Sequence, residues 1–221
     1  MNKRHYNFRL EIIKSSHGHC DYEVLSRPEG IKYDQIDEYF RELSPFEALN
    51  LIKQTFDYLS AFEGIKVSIN INRSMIVNEL LHLYLKSRVE SIGKRISIVF
   101  EINECCYDLI GSEVFIRFRN TFNEMSVDFW LDDFGTGGAN FSLLKLGIFD
   151  TIKIDKNLFW MLYEYGGTLL LEFITFIRRL NFNVIIEGVE TAEQLDFAYE
   201  SGCFAQGFYF KNEKVRNEIL Y

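Results

Sequence analysis

Two adjacent carboxylates followed by several glycines are the residues of this chain whose types and spacing best suit chemistry. Asp132 and Asp133 follow residues 127–131, whose alternating apolar side chains predict a half-buried strand. Glycines permit positive φ and a close approach of the backbone, so the chain can turn sharply over whatever the aspartates bind. These glycines are Gly135, Gly137 and Gly138. An acidic pair in an ordinary surface turn is the less favoured alternative.

A lysine inside the next apolar run adds to this candidate site. Residues 150–154 predict a short strand that contains Lys153, and Asp155 follows directly. We interpret Lys153 as a side chain that holds or polarises an attacking water. A Schiff-base lysine is the alternative, but nearby carboxylates would stabilise its ammonium form and reduce its nucleophilicity.

Polar side chains recur near the ends of successive predicted strands. We predict strands at residues 7–13, 21–25, 65–71, 96–102, 127–131, 150–154, 183–186 and 204–210. The polar residues near their ends are Glu23, Asn70, Glu101, Asp132 with Asp133, Lys153 with Asp155, Glu187 and Gln206. One polar group per strand end is typical of a β/α barrel, whose active site lies at the carboxyl ends of its strands. A doubly wound sheet would gather its site at one switch point, and the chain has no GxGxxG motif.

Predicted helices lie between most of these strands. Two begin with capping-box sequences, one at Ser44 that continues to about residue 62 and one at Thr191. The others are predicted at residues 76–85, 107–124 and 158–180. The first two strands form a hairpin, so we interpret His17, His19 and Cys20 as its exposed tip rather than as a metal site.

The predicted strand ends bring about five carboxylates to one mouth. They are Glu23, Glu101, Asp132, Asp133 and Glu187. Their mutual repulsion would raise their pKa values unless cations are present. Oxygen ligands, including the Asn70 carbonyl, suit Mg²⁺ or Mn²⁺ better than zinc. A carboxylate that bridges two ions about 3.5–4 Å apart would suit in-line displacement at phosphorus.

Composition limits the class of protein. The chain has 221 residues, 48% of them hydrophobic, and no linker-like segment, so we expect a single α/β domain over residues 1–221. It has no 18-residue apolar run and no secretory signal, so we expect a soluble, cytoplasmic protein without a membrane segment. The four cysteines lack CxxC spacing, which favours reduced thiols. A net charge of −8 argues against binding to a nucleic-acid polymer, but a small anion held by metal ions is compatible with it.

Seven motifs, in order from about residue 6 to residue 212, resemble the bacterial EAL domain, the cyclic di-GMP phosphodiesterase family. They are Glu23-Val24-Leu25-Ser26-Arg27, Asn70, Glu101-Ile102-Asn103-Glu104, Asp132-Asp133-Phe134-Gly135-Thr136-Gly137, Lys153-Ile154-Asp155, Glu187-Gly188-Val189-Glu190 and Gln206-Gly207. Each motif alone is weak, but seven in register are specific. The resemblance implies a modified TIM barrel, an α/β (β/α)8 fold whose first strand is antiparallel to the others. It also implies hydrolysis of cyclic di-GMP to linear pGpG with two Mg²⁺ or Mn²⁺ ions.

The resemblance also implies roles for individual residues. The metal ligands would be Glu23, Asn70, Glu101, Asp132, Asp133 and Glu187. The catalytic residues would be Lys153, which orients the nucleophilic water, with Glu187, Asp133 and Glu23. The substrate contacts would be Arg27 and Gln206, with Asp155 close to Lys153. Arg9 stands where the family has a glutamine that contacts the ligand, so we include it and Asp155 among the candidate substrate-binding residues. Glu104 would anchor the loop after Asp133, which the family couples to dimerisation, so a homodimer is expected.

Departures from the family pattern leave a second function open. Val24 replaces the signature alanine, and Arg9-Leu10 replaces a Gln-Pro pair, which either weakens guanine recognition or adds a phosphate contact. Residues 137–140 replace Gly-Tyr-Ser-Ser, and residues 211–213 replace a Lys-Pro pair. None of these changes removes a predicted metal ligand, so we predict an active phosphodiesterase. The alternative is a non-catalytic relative that acts as a cyclic di-GMP sensor or regulates a protein partner.

Overall fold

Eight strands close into a barrel in the order of the sequence. A computed structural model of the protein describes residues 4–103, 110–136 and 141–212. The strands are β1 (Tyr6–Lys14), β2 (Cys20–Pro28), β3 (Lys66–Ile71), β4 (Ser97–Asn103), β5 (Asp128–Phe134), β6 (Thr151–Ile154), β7 (Asn183–Ile186) and β8 (Phe204–Gln206). β1 is antiparallel to β2 and to β8, and all the other neighbouring pairs are parallel. The predicted modified TIM barrel with an antiparallel first strand is therefore confirmed.

Helices follow most of the parallel strands in the described residues. They are α1 (Ile36–Arg41), α2 (Pro45–Leu59), α3 (Arg73–Val77), α4 (Glu79–Ile92), α5 (Ser112–Thr121), α6 (Phe141–Leu144), α7 (Lys156–Glu164), α8 (Thr168–Arg179) and α9 (Ala192–Glu200). Both predicted capping boxes are confirmed, at Ser44 before α2 and at Thr191 before α9. None of the helices in the described ranges combines the length and the hydropathy needed to cross a membrane.

The prediction of one long helix at residues 158–180 is wrong. The segment contains α7 and α8, which are separated by Gly166 and Gly167 with φ of 96° and 72°. Positive φ interrupts a right-handed helix, and glycine adopts it without a side-chain clash. The amphipathic pattern continues across the break, which is why periodicity alone did not show it.

Three other predicted boundaries also change. The helix predicted at residues 76–85 is two helices, because Asn78 is extended and its side chain accepts a hydrogen bond from the Leu80 N–H at the start of α4. The last strand ends at Gln206 instead of residue 210, because Gly207 turns the chain with φ of 154° into a 3₁₀ turn. Of the helix predicted at residues 107–124, the structure shows α5, and residues 104–109 lie outside the described residues.

The first hairpin has the exposed tip that the sequence predicts. The Ser15 N–H donates a backbone hydrogen bond to the His19 carbonyl oxygen across the turn between β1 and β2, and His17 and His19 are exposed. The His19 Nε2 atom lies 2.8 Å from Asp21 Oδ1. The turn and the exposure of both histidines confirm the hairpin tip, whereas Cys20 is half-buried as the first residue of β2.

Two apolar regions hold the barrel and position the polar residues between them. The larger region lies between the strands and the helices. It includes four rings that contact one another, Phe100 on β4, Phe118 on α5, Phe122 directly after α5 and Phe129 on β5. The smaller region fills the barrel interior with Ile13, Val99, Trp130 and Ile185, against which Phe204 packs. Since strand side chains alternate, inward-facing residues beyond this layer, toward the carboxyl ends of the parallel strands, line the mouth of the barrel.

Replacement of a central ring should test the larger region. Phe100 is fully buried and contacts Phe118, Phe122 and Phe129. We expect Phe100→Ala to lower the free energy of unfolding by about 3–5 kcal/mol, because it removes buried apolar surface and leaves a cavity. The control Leu80→Ala, at a side chain that is 76% exposed, should change it by less than about 0.5 kcal/mol. Urea unfolding followed by circular dichroism measures both, and similar small changes would contradict the packing described here.

Candidate active site at the carboxyl ends of the strands

One buried lysine lies at the centre of the polar residues inside the barrel. The Lys153 side chain is 1% exposed, and its Nζ atom lies 3.0 Å from Glu23 Oε2, 3.2 Å from Glu101 Oε2, 3.0 Å from Asp132 Oδ1 and 2.8 Å from Glu187 Oε1. An ammonium group has three N–H bonds, so it cannot donate a full hydrogen bond to each of four carboxylates. The contacts with Glu23 and Glu101 have hydrogen-bond geometry, and those with Asp132 and Glu187 are ion pairs.

Strand alternation brings these side chains together. Glu23 lies on β2, Glu101 on β4, Asp132 on β5 and Lys153 on β6, and each faces the barrel interior. Glu187 is the first residue after β7. The pairing of parallel strands aligns their carboxyl ends, so residues far apart in the sequence meet at one level of the barrel. The grouping expected from one polar residue per strand end is therefore observed.

Two predicted amide side chains hold the Glu23 carboxylate. Asn70 Nδ2 donates to Glu23 Oε1 at 2.8 Å, and Gln206 Nε2 donates to Glu23 Oε2 at 2.7 Å. Gln206 also approaches Glu11 Oε1 at 3.4 Å. The Glu23 carboxylate is thus fixed on both oxygens, since Lys153 contacts the second oxygen as well.

The sequence reasoning missed three residues that support the site. Ser68 Oγ donates to Glu101 Oε1 at 2.5 Å, Asn103 Nδ2 donates to Asp133 Oδ2, and Glu11 lies beside Gln206. Each lies two positions from a residue that was predicted: Ser68 from Asn70, Asn103 from Glu101 and Glu11 from Arg9. Because side chains two apart in a strand share a face, this spacing is the signal that could have identified them.

The turn after the aspartates requires an unusual backbone. Asp133 has φ of 55° although it is not glycine, and Gly135 has φ of 104°. A Cβ atom at Gly135 would clash with the Leu158 side chain, and the residue would also be strained by its positive φ. The glycine predicted to permit the turn is therefore required at Gly135. Gly137, Gly138 and Glu104, the predicted loop anchor, lie outside the described residues.

Three of the carboxylates are close enough to share one cation. Ligand oxygens of Asp132, Asp133 and Glu187 all lie within 4.8 Å of one another. An all-carboxylate oxygen set fits a hard divalent cation such as Mg²⁺ or Mn²⁺ and lacks the histidine or cysteine ligands typical of zinc. The other predicted ligands, Glu23, Glu101 and Asn70, contact Lys153 or one another. These residues can therefore hold a metal ion.

Burial and charge act in opposite directions on Lys153 and Glu23. Burial alone would lower the pKa of Lys153, but the carboxylates around it raise that pKa well above the usual range. Burial alone would raise the pKa of Glu23, but the Lys153 charge and the hydrogen bonds from Gln206 and Asn70 lower it overall. This pair is therefore ionised at neutral pH.

The remaining carboxylates are harder to ionise. Burial is the largest cause of the raised pKa of each of the four, and like charges add to it. The pKa of Asp133 rises to about 7, with the Asp132 charge as the second cause. The pKa of Glu187 rises to about 8 despite the nearby Lys153. The positive charge of Lys153 therefore compensates only part of the negative charge of the acid cluster. Glu101 and Asp132, whose pKa values are also raised, are the other members of this cluster.

The predicted substrate contacts lie in different surroundings. Gln206 is buried in the cluster, whereas Asp155 accepts a hydrogen bond from the Asn157 N–H and caps α7. Arg9 is 74% exposed and lies 3.5 Å from Glu11. Arg27 is also exposed, on the strand that carries Glu23. These two arginines are on the inner face of the first hairpin, by alternation from Glu11 and Glu23, and they are not bonded to the acid cluster in the described residues.

Comparisons with known proteins identify the EAL domain. The family model described as "EAL domain" matches residues 19–213. The cyclic di-GMP phosphodiesterase PdeH of Escherichia coli K12 is 30% identical over 194 residues, which are 83% of this chain and 72% of PdeH. The cyclic di-GMP phosphodiesterase PdeL of the same organism is 28% identical over 179 residues, 77% of this chain but 49% of PdeL. The chain thus spans about half the length of that relative.

Solved structures share the fold at low sequence identity. The EAL domain of FimX from Pseudomonas aeruginosa, solved with c-di-GMP bound, matches with a TM-score of 0.71 and 19% identity over 93% of this chain and 89% of that one. An EAL domain protein from Listeria monocytogenes EGD-e matches with a TM-score of 0.72 and 18% identity over 93% and 87% of the two chains. These matches support the modified TIM barrel.

Substitution of Glu187 should reveal how costly the acid cluster is without metal. Its pKa of about 8 in the folded protein lies above the unfolded value near 4, so its stabilising contribution is complete below pH 4 and is lost as the pH rises through 8. A neutral glutamine avoids this loss. In a chelator, we expect the free energy of unfolding of Glu187→Gln, relative to the unchanged protein, to rise between pH 5 and pH 9 by on the order of 4 kcal/mol.

The control for this measurement is Glu172→Gln, at an exposed position on α8. It should show no such pH dependence. Added Mn²⁺ should reverse the effect, because an ion that binds the folded protein through Glu187 stabilises the unchanged protein more than the variant. Equal pH profiles of the two variants in the chelator would contradict the raised pKa of Glu187.

Proposed function

The chain belongs to the EAL domain family, and from this premise we propose that it hydrolyses one phosphodiester bond of cyclic di-GMP to give linear pGpG. The observation that carries the proposal is the cluster of Asp132, Asp133 and Glu187 beside a buried lysine. Relatives that include PdeH and PdeL are named as cyclic di-GMP phosphodiesterases. The acids, amides and lysine expected of the family are all present in this chain.

We propose that two divalent cations, Mg²⁺ or Mn²⁺, bind in this cluster. Asp132, Asp133 and Glu187 would hold one of them, and the six proposed ligands are these three with Glu23, Asn70 and Glu101. When bound, such ions supply charge neutralisation for the phosphate and a nucleophilic water. Because ligands must be deprotonated, the raised pKa values of Asp133 and Glu187 predict that cation binding releases protons and strengthens as the pH rises from 6 to 8.

Lys153 has two roles in the proposed reaction. Its ammonium group neutralises part of the acid cluster, and its N–H bonds can orient a water for attack at phosphorus. Its raised pKa keeps the group protonated at neutral pH, so it acts as a donor and an electrostatic stabiliser and not as a nucleophile. Glu23, held by Asn70 and Gln206, fixes the position of Lys153. Glu187 and Asp133 complete the proposed catalytic set.

The proposed substrate contacts surround this centre. Gln206 lies beside Glu23, and Asp155 lies next to the lysine strand. Arg9 and Arg27 provide positive charge on the rim. This charge attracts an anionic dinucleotide that the acidic mouth would otherwise repel. As the family resemblance implies, we further propose a homodimer and a loop anchor at Glu104. From the composition of the chain we propose a cytoplasmic location and a single catalytic domain over residues 1–221.

Hydrolysis of cyclic di-GMP by the purified protein tests the proposal. We expect linear pGpG to appear, separated by chromatography, in Mg²⁺ or Mn²⁺ and not in a chelator. Tight binding of cyclic di-GMP without product would instead favour the non-catalytic sensor. The absence of both binding and product would overturn the proposal and would point to a protein partner.

A pair of aspartates on one strand provides a matched test of the metal ligands. We expect Asp132→Asn to lower kcat by more than about 100-fold, because it removes a proposed metal ligand. Mutation of residues that only hydrogen-bond to metal ligands already costs about 10–100-fold in metal affinity or activity. The control Asp128→Asn lies on the same strand and face, but pairs with Lys66 at 2.6 Å at the opposite end of the barrel. Its kcat should stay within about threefold of the unchanged protein.

Steady-state kinetics in Mn²⁺ measures both variants, and circular dichroism checks that they are folded. Retention of near-normal turnover by Asp132→Asn would mean that the cluster is not the catalytic metal site. An equal loss in both variants would point to a general effect on the barrel.

A further inference from the structure

An exposed aromatic ring lies beside Arg27, just after the strand that carries Glu23. Tyr33 is 81% exposed, the highest fraction among the large apolar side chains of the described residues. It begins the 3₁₀ turn Tyr33–Gln35, which follows β2. The guanidinium carbon of Arg27 lies 5.8 Å from the centre of the ring. This distance is within the range of a cation–π contact, so the two side chains form an adjacent pair.

The strand places this pair at the same mouth as the acid cluster. Glu23, Leu25 and Arg27 alternate along β2 and share its inner face. Arg27 lies four positions after Glu23, which corresponds to about 13 Å along a strand. β2 is parallel to β3, and the parallel order continues to β5, so the end of β2 that leads to Tyr33 is also the end at which Asp132 lies.

The carboxylates of the mouth repel the phosphates of an anionic dinucleotide, so only nearby positive charges attract them. The uncharged faces of its two bases are the parts of the ligand that carboxylates do not repel. Stacking of a base on an aromatic side chain is strong and tolerates any base, because every base has a π-face. A ring that is exposed in the free protein has a hydrated face, and a base that stacks on this face displaces the water from it.

Resting on the proposed function, we infer that Tyr33 is a substrate-binding residue whose ring stacks on one purine base of the cyclic dinucleotide. Arg27 supports the ring through the cation–π contact and adds positive charge beside the bound ligand. The acid cluster and Lys153 then act on the phosphate while Tyr33 holds a base some distance away. The role of Tyr33 is therefore in affinity and not in the chemical step.

The separation of affinity from chemistry defines the test. KM and kcat for cyclic di-GMP in Mn²⁺ are measured for the unchanged protein, Tyr33→Ala and Tyr33→Phe. We expect Tyr33→Ala to raise KM by about 5- to 100-fold, the range of one lost stacking contact, with kcat within twofold. Tyr33→Phe keeps the ring and should stay within threefold in KM. The control Tyr165→Ala, at a tyrosine that is 77% exposed after α7, should leave both constants unchanged.

The outcomes separate this inference from the proposed function. If the unchanged protein hydrolyses cyclic di-GMP and the KM of Tyr33→Ala stays within twofold, the stacking role is overturned and the phosphodiesterase remains. A loss in kcat alone would also overturn it. If the protein binds cyclic di-GMP without turnover, the dissociation constant from calorimetry replaces KM, with the same expected ratios. If it neither binds nor hydrolyses this ligand, both proposals fall together.

Discussion

Among the described residues, the acid cluster of Glu23, Glu101, Asp132, Asp133 and Glu187 has five carboxylates for one ammonium group, and four of them converge on Lys153 Nζ. Ionised groups are costly to bury without partners, so each acid needs a cation, a hydrogen-bond donor or a proton. Lys153 and the amides of Asn70 and Gln206 satisfy Glu23, while Asp133 and Glu187 are left with raised pKa values. The charge that Lys153 leaves uncompensated is what makes the cluster a candidate cation site.

Two apolar regions of the fold hold the strands that carry this cluster. A thin layer around Trp130 closes the barrel interior, and the ring cluster around Phe100 holds the helices against its outer face. Because the strands are fixed on both sides, the side chains that line the mouth cannot move apart to relieve their repulsion. Repulsion within the acid cluster therefore lowers the stability of the metal-free protein, and a bound cation would restore that stability.

Much of this site could be predicted from the sequence because strand alternation and strand order fix which residues meet. Glu23 and Lys153, 130 positions apart, were expected in one mouth and contact each other. The supporting residues Ser68 and Asn103 were missed, because a serine or asparagine in a strand is common and only its partner shows what it does. The break at Gly166 was missed for a different reason, since the apolar periodicity continues through it and the backbone angle is not visible in a pattern.

A crystal structure of the protein grown with Mn²⁺ would test the metal assignment most directly, because manganese is located by its anomalous scattering. We expect anomalous density among the carboxylates of Asp132, Asp133 and Glu187, with a second site on the side of Glu23 and Glu101. An intact barrel in saturating Mn²⁺ with no density at these residues, and with Lys153 still bound to all four carboxylates, would contradict the assignment of this cluster as a metal centre.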